Sequence, residues 1–258
     1  MDLKNILNRV RNNETDLDTA EAQIRSAGYV SVSDIAKIDI FRKHRTGIME
    51  AILAEGKAPE DVVKIAETQI AATGRVLITR LSDPHRDALS ARFRSEALEW
   101  SLHSTAAVVH DGTPAPRTGG VVAIMTAGTA DIDVAEEARL VAAEMGCETL
   151  AIYDVGVAGL HRLIGEMHRL KEKKPDAVVV AAGREGTLPT VVSGLLDVPV
   201  IGLPVSTGYG AGAKGEAALL SMLQSCSVIS VVNIDAGFVA GAFAARIANT
   251  VAAARDKK

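Results

Sequence analysis

The sequence predicts an α/β protein: a doubly wound parallel sheet of five strands, preceded by a smaller N-terminal α+β domain. Three observations predict it. Five short segments rich in Val, Ile, Leu and Ala, at 121–126, 149–153, 177–181, 198–203 and 228–234, alternate with helix-compatible stretches, the pattern of successive βα units. Hydrophobic residues make up 48% of the chain but aromatics only 3%, so the core is small and aliphatic and fits parallel strands covered on both faces. A polar, glycine-bearing turn follows each of the five segments.

In the N-terminal part, Leu3, Ile6, Leu7 and Val10 fall on one face of a helical pattern over residues 3–27. Residues 39–45 and 48–53 predict two short strands around Thr46-Gly47. Pro59 opens a helix over 59–72, where its missing N–H costs nothing, and Gly74 ends it. A strand at 76–79, a helix at 84–92 and an edge strand at Val108-Val109 complete a small unit. Residues 110–119, HDGTPAPRTG, hold two prolines and two glycines without apolar periodicity, and read as a linker. The expected domains are therefore 1–115 and 116–258.

In the C-terminal part a helix is expected over 134–145, with Asp133 as N-cap and Glu136 at the third helical position. A further helix runs from about Lys214 to Ser225, and an Ala- and Gly-rich one spans 236–248. The segment 228–234 predicts a buried strand. Of the two cysteines, Cys147 precedes the second strand and reads as structural. Cys226 sits between Ser225 and Ser227 at a helix–strand boundary. It is either a small buried hydrophobe or a nucleophile, the thiolate being the most reactive side chain near neutral pH.

The turns carry the functional signal. Gly128, Thr129 and Asp131 follow the first strand, and Asp154 and Gly156 the second. Gly183, Glu185 and Gly186 follow the third, and Ser206, Gly208, Tyr209 and Gly210 the fourth. In open α/β sheets ligands bind at the carboxyl ends of strands, glycines admit a ligand to the backbone, and helix N-termini offer N–H groups to anions. Several such turns at one sheet edge point to a nucleotide or a phosphate ester, although βα turns use glycine for structural reasons as well.

Composition excludes several classes. Net charge is −4 and the basic residues are dispersed, so no nucleic-acid partner is expected. Apolar runs fall short of the ~20 residues that span a bilayer, so no membrane partner is expected. Two cysteines and an N-terminus without a signal-peptide core predict a cytoplasmic setting. No CxxC, HExxH or GxxxxGK[ST] is present.

A resemblance covers most of the chain. GTAD (128–131), GLHR (159–162), GREGTLPTVVSGLLDVPVIGLPV (183–205), ALLSMLQ (218–224) and NIDAG (233–237) resemble the aminoimidazole ribonucleotide carboxylase/mutase of purine biosynthesis, PurE. YDVGVAGLHRL (153–163), AEEA (135–138), VVNID (231–235) and FRKHRTGIMEAILAEGKAPEDV (41–62) resemble more fully the nickel-pincer cofactor biosynthesis carboxylase/hydrolase family, LarB. Cys226 separates the two relatives, since the LarB family carries a nucleophilic cysteine where the purine enzymes have a proline-rich loop. Ala130 stands where both families usually have Ser, Arg184 where LarB usually has an apolar residue, and Ala236 where Asn is usual. Val205 and Thr207 also replace usual residues of the fourth loop.

The resemblance implies a flavodoxin-like sheet and carboxylation of nicotinic acid adenine dinucleotide, with CO2 as co-substrate. Phosphoanhydride cleavage then gives pyridinium-3,5-biscarboxylic acid mononucleotide and AMP. It implies Cys226 as the nucleophile, Glu185 or Asp131 as the base, and His161 and Arg162 at the substrate. His161 has an equally ordinary reading as a helix-surface residue capping a turn. Phosphoanhydride hydrolysis often uses Mg²⁺, for which no ligand set is legible in the sequence. The alternatives are a PurE-type carboxylase or mutase and a non-catalytic nucleotide-binding regulator. A homo-oligomer, by the purine relatives an octamer, is expected. A helix over 214–225 carries the chain ~18 Å back across the sheet, which puts Cys226 at the edge opposite the loops, within reach of a neighbouring subunit's site.

Overall fold

The computed structural model describes residues 3–115, 117–208, 210–212 and 214–255. Two compact units emerge: Met1–Ile78 with Ser82–Leu98 and Val109–Thr113, and Thr79–Leu81 with Glu99–Val108 and Pro114–Lys258.

The first hundred residues differ from expectation in several places. The helical pattern of 3–27 is broken into α1 (Leu3–Arg11) and α2 (Leu17–Ala27), because Asp16 caps α2 by accepting the Thr19 amide at 2.8 Å. A hairpin of β1 (Val30–Val32) and β2 (Ala36–Ile38) follows, which the sequence reading passed over. Residues 42–46 form α3 (Arg42–Thr46) rather than a strand, closed by left-handed Gly47, and β3 (Ala51–Leu53) is shorter than expected. Then come α4 (Pro59–Thr73), β4 (Arg75–Thr79), α5 (Asp83–Arg92), β5 (Leu98–Trp100) and β6 (Ala107–His110). β3, β4, β6 and β5 form a sheet in that order, so Val108 and Val109 lie, fully buried, in an inner strand and not at an edge.

From Val121 the alternation is regular: β7 (Val121–Thr126), α6 (Ile132–Glu144), β8 (Glu148–Ile152), α7 (Leu160–Lys173), β9 (Ala177–Ala182) and α8 (Leu188–Ser193). β10 (Val200–Pro204), α9 (Glu216–Leu223), β11 (Ser230–Val231) and α10 (Gly237–Arg255) complete the chain. The five strands are all parallel, in the order β11–β10–β9–β7–β8, which is the flavodoxin-like order. The chain reverses direction of winding between β7 and β9, so the switch point lies between their carboxyl ends.

One face of the sheet carries α6 and α10, which touch backbone to backbone. A Cβ on Gly241 would sit 2.3 Å from the Ala138 carbonyl oxygen, so only glycine permits this approach. By length and apolar composition α10 alone, among the described residues, could cross a membrane, a point the sequence reading missed; here it is a core helix, with Ala240, Ala244, Ala245 and Ala248 fully buried. On the other face Leu163 and Leu170 of α7, Leu188 and Val192 of α8 and Met222 of α9 pack on Met125, Val178 and Val180.

Two expectations need correction here. Asp133 does not cap α6; Asp131 is the residue before the helix, at the end of a 3-10 turn over Thr129–Asp131. Glu136 does not reach back to the cap but is buried, accepting from Arg139, Tyr153 Oη and the Leu102 amide. The segment 228–234 is not a buried strand. It pairs only through Ser230 and Val231, at the sheet edge, and Val228 is 93% exposed. Ser193 Oγ donates to the Val228 carbonyl ahead of the paired residues, and the Val232 amide still donates to the Gly202 carbonyl after them, but as the edge strand the segment has one side uncovered.

Candidate functional site

The site is assembled by one carboxylate. Asp131 is 4% exposed, and its side chain ties three loops together. Oδ2 accepts the Gly128 amide at 2.9 Å; Oδ1 accepts the Gly183 amide at 3.1 Å and the Thr207 hydroxyl at 3.1 Å. The turns after β7, β9 and β10 are thus fixed at the switch point. Burial pushes its pKa above the ordinary value, against the pull of these three donors. Gly183 is required there: a Cβ would lie 2.8 Å from Thr207 Oγ1 and 3.2 Å from Asp131 Oδ1.

Around this knot lies a cleft of ≈ 440 Å³. Gly128, Thr129, Asp131, Asp154, Gly156, Arg162, Gly183, Glu185 and Gly186 line it, with Arg184 and Thr207 among the remainder. Asp154 and Arg184 have left-handed backbones (φ 58° and 47°), a conformation that costs a bulky residue ~1–3 kcal/mol and recurs at ligand sites. Arg162 Nη1 donates to Asp154 Oδ2 at 2.5 Å, closing one side. Glu185 is exposed and, among the described residues, has no hydrogen bond or ion pair. The cleft therefore offers an open carboxylate, two guanidinium groups and the start of α6, a setting for an anionic ligand and a proton transfer.

The other expected residues lie elsewhere. Ser206 is held from outside the cleft: its amide donates to Asp235 Oδ1 at 2.9 Å. Gly208 and Gly210 are not in the lining, and Tyr209 lies outside the described residues. His161 is exposed on the first turn of α7 and is not in the cleft lining, and among the described residues no side chain caps that helix. Cys226 is exposed and also absent from the lining. It lies four residues before Ser230, which pairs with Ile201 near the start of β10, so it belongs to the amino edge of the sheet. α9 has 8 residues, shorter than expected, and spans ~12 Å. Ser225 and Ser227 both bind Thr190, through its hydroxyl at 2.8 Å and its carbonyl at 3.2 Å, which lays the cysteine turn along α8.

No three of His, Cys, Asp and Glu come together as a metal site among the described residues. Asp131 is occupied by three donors and Asp154 by Arg162, which leaves Glu185 as the one carboxylate of the described cleft lining without such a partner, and one carboxylate does not make a protein-held Mg²⁺ site.

Comparison with known proteins decides the family. Residues 121–258 match the AIR carboxylase family, and residues 29–111 match the LarB/PurE-like N-terminal domain. The chain belongs to the LarB family, a relative of PurE. An uncharacterised protein of Methanocaldococcus jannaschii is 37% identical to it over 256 residues, covering 95% of this chain and 96% of the relative. As a LarB-family protein it is of a carboxylase-related type. Thr207 and Arg184, which in sequence are departures from the usual pattern of the LarB family, both line the cleft. Arg80 is not among the expected site residues; its mark in the sequence is an arginine directly after an apolar strand, and it has a left-handed backbone with φ 56°.

Proposed function

We propose that this protein is a carboxylase/hydrolase of nicotinic acid adenine dinucleotide. It joins CO2 to the pyridinium ring and cleaves the phosphoanhydride, giving pyridinium-3,5-biscarboxylic acid mononucleotide and AMP. The observation that carries this reading is the open carboxylate of Glu185 beside two arginines at the switch point, in a chain with a LarB-type N-terminal segment.

A pyridinium is electron-poor and does not attack CO2. Addition of the Cys226 thiolate to the ring carbon beside the target forms a C–S bond, moves an electron pair onto the ring nitrogen and leaves an enamine. The enamine carbon attacks CO2, forming the C–C bond. Glu185 takes the proton from that carbon, and the thiolate leaves with its electron pair, restoring the aromatic cation. Asp131 holds the loops and is not free to act as the base. Arg162 and Arg184 face the phosphates; water attacks the phosphorus on the pyridinium side, the bridging P–O bond breaks with its electron pair leaving on AMP, and the proton of the water passes to solvent. No step runs through a metal. Cys226 reaches the ring from a neighbouring subunit, since its own cleft lacks it. The active species is accordingly a homo-oligomer.

A PurE-type reaction on an imidazole ribonucleotide is the second reading, favoured by the match of residues 121–258 to AIR carboxylase. Labelled bicarbonate with each nucleotide separates the two. Incorporation and AMP release with the dinucleotide are expected. Incorporation with the imidazole ribonucleotide alone overturns the first reading, and binding without turnover makes the protein a regulator.

A further inference from the structure

The carboxyl edge of β10 is held from a second side, by groups outside the cleft. Arg80 Nη2 donates to the Asp235 backbone carbonyl at 2.6 Å, and its Nε lies 4.0 Å from Glu137 Oε2. Glu137 is buried on α6 and its Oε1 accepts the Phe238 amide at 3.0 Å, at the start of α10. Arg80 and Glu137 therefore grip the turn at Asp235 from either end. That turn is a left-handed one (φ 55°), and the Asp235 amide donates to the Pro204 carbonyl at 2.9 Å. Its carboxylate carries the Ser206 amide; the next residue, Thr207, is bound by Asp131 and lines the cleft.

The connections run in one direction: Arg80 to Asp235, Asp235 to Ser206, Thr207 to Asp131, and Asp131 to Gly128 and Gly183. Two non-glycine residues in series, Arg80 and Asp235, hold left-handed backbones, which persist only where surrounding contacts over-determine them. A guanidinium suits this position because it donates to a carbonyl and faces a carboxylate at once from a rigid fork.

We propose that Arg80, with Glu137, is a positioning residue for the cleft: it fixes the Asp235 turn, and through it the Ser206–Thr207 wall, without touching the ligand. The inference rests on the cleft being the nucleotide site only in its functional arm; its structural arm is independent.

The structural arm is amide hydrogen exchange, which reports local opening. Arg80→Gln is expected to speed exchange of the Ser206 amide at least ~10-fold, while the amides of β7 and β9 stay as protected as before. Arg80→Lys, which keeps a donor for the carbonyl, is expected to restore most of that protection. In the functional arm, measured by calorimetry with AMP and by steady-state kinetics, Arg80→Gln weakens AMP binding and raises KM ~5-fold or more with kcat changed less. Unchanged Ser206 exchange in Arg80→Gln overturns the proposal, as does equal loss of protection through the whole unit in both variants. Should Arg80→Gln not fold, Glu137→Gln reads the same amide, and unchanged exchange there overturns it too. Faster Ser206 exchange in a protein whose wild type binds no AMP supports the Arg80 role and sinks the nucleotide reading instead.

Discussion

The two edges of the parallel sheet each contain a buried aspartate, and the two are used differently. At the amino edge Asp176 accepts the Val121 amide at 2.8 Å and pairs with Arg255 at 2.7 Å. At the carboxyl edge Asp131 has two amides and a hydroxyl and, among the described residues, no cation. The cysteines divide in the same way. Cys147 is buried, its Sγ 3.2 Å from Asn249 Oδ1, and burial pushes its pKa to about 11, so it stays a thiol. Cys226 is exposed in a turn at the amino edge. That edge also bears a cavity of ≈ 480 Å³, lined mainly by apolar residues such as Val198, Ile229 and Phe243. The polar cleft has loops, left-handed residues and an open carboxylate. The two cavities are of similar size and differ in the chemistry of their lining, one polar and one mainly apolar.

The largest expected effect tests the cysteine contrast. Cys226→Ser removes the only exposed thiol among the described residues and is expected to lower carboxylation by ~10³-fold or more, while Cys147→Ser retains it. Bicarbonate incorporation measures both, and undiminished activity in the Cys226 variant would exclude a thiolate mechanism. Next is Glu185→Gln, expected to lower kcat ~10²-fold with KM little changed, because a base acts in the transition state. A variant that only raises KM makes Glu185 a binding residue. These two variants also probe sharing of the site: mixed under subunit exchange, they regain activity if a neighbour supplies Cys226, and remain inactive if one chain supplies both.

Much of the sheet was legible because each inner strand is a continuous aliphatic run between polar turns. β7 came out residue for residue, and β9 differs by one residue. The failures have local physical causes. β11 reads as a buried strand from Val228, Ile229, Val231 and Val232, but it is an edge strand paired through two residues only, and its apolar composition does not tell an edge from the interior. Residues 39–45 read as extended, yet 42–46 form a helical turn that Gly47 closes with a left-handed stop. In the cleft, glycines and carboxylates could be assigned because the loops announce them. Arg80 could not, since its partner Asp235 is 155 residues away and the contact is to a backbone carbonyl, which leaves no mark on composition.

The contrast of aspartates gives a smaller effect. Asparagine has one acceptor oxygen, so Asp131→Asn leaves at least one of three buried donors unmatched, at a cost of ~1–3 kcal/mol. Both stability and nucleotide affinity are expected to fall. Asp176→Asn keeps an acceptor for Val121, and the half-exposed Arg255 turns to solvent, so a loss of ~1 kcal/mol or less with unchanged affinity is expected. Equal effects on affinity from both variants would erase the distinction between the edges.

The smallest effect is in pH dependence, and its sign differs between two acids near the carboxyl edge. For Asp131 the folded pKa is raised by burial, so the folded state binds more protons than the unfolded one between the ordinary and the raised value. Its contribution to stability therefore falls as pH rises through that window, and is most favourable below it. Glu136 is the reverse: burial opposes ionisation, but Arg139, Tyr153 and the Leu102 amide outweigh it and hold the pKa below the ordinary 4.5. Its contribution is present above the unfolded value and is lost as pH falls through the folded one. Urea unfolding between about pH 6 and about pH 3.5 measures both contributions. Relative to the wild type, Glu136→Gln should flatten the loss of stability on acidification, and Asp131→Asn should steepen it. Slopes that move in the same direction in the two variants would mean that the three donors to Asp131 outweigh its burial, and that its carboxylate is ionised as firmly as that of Glu136.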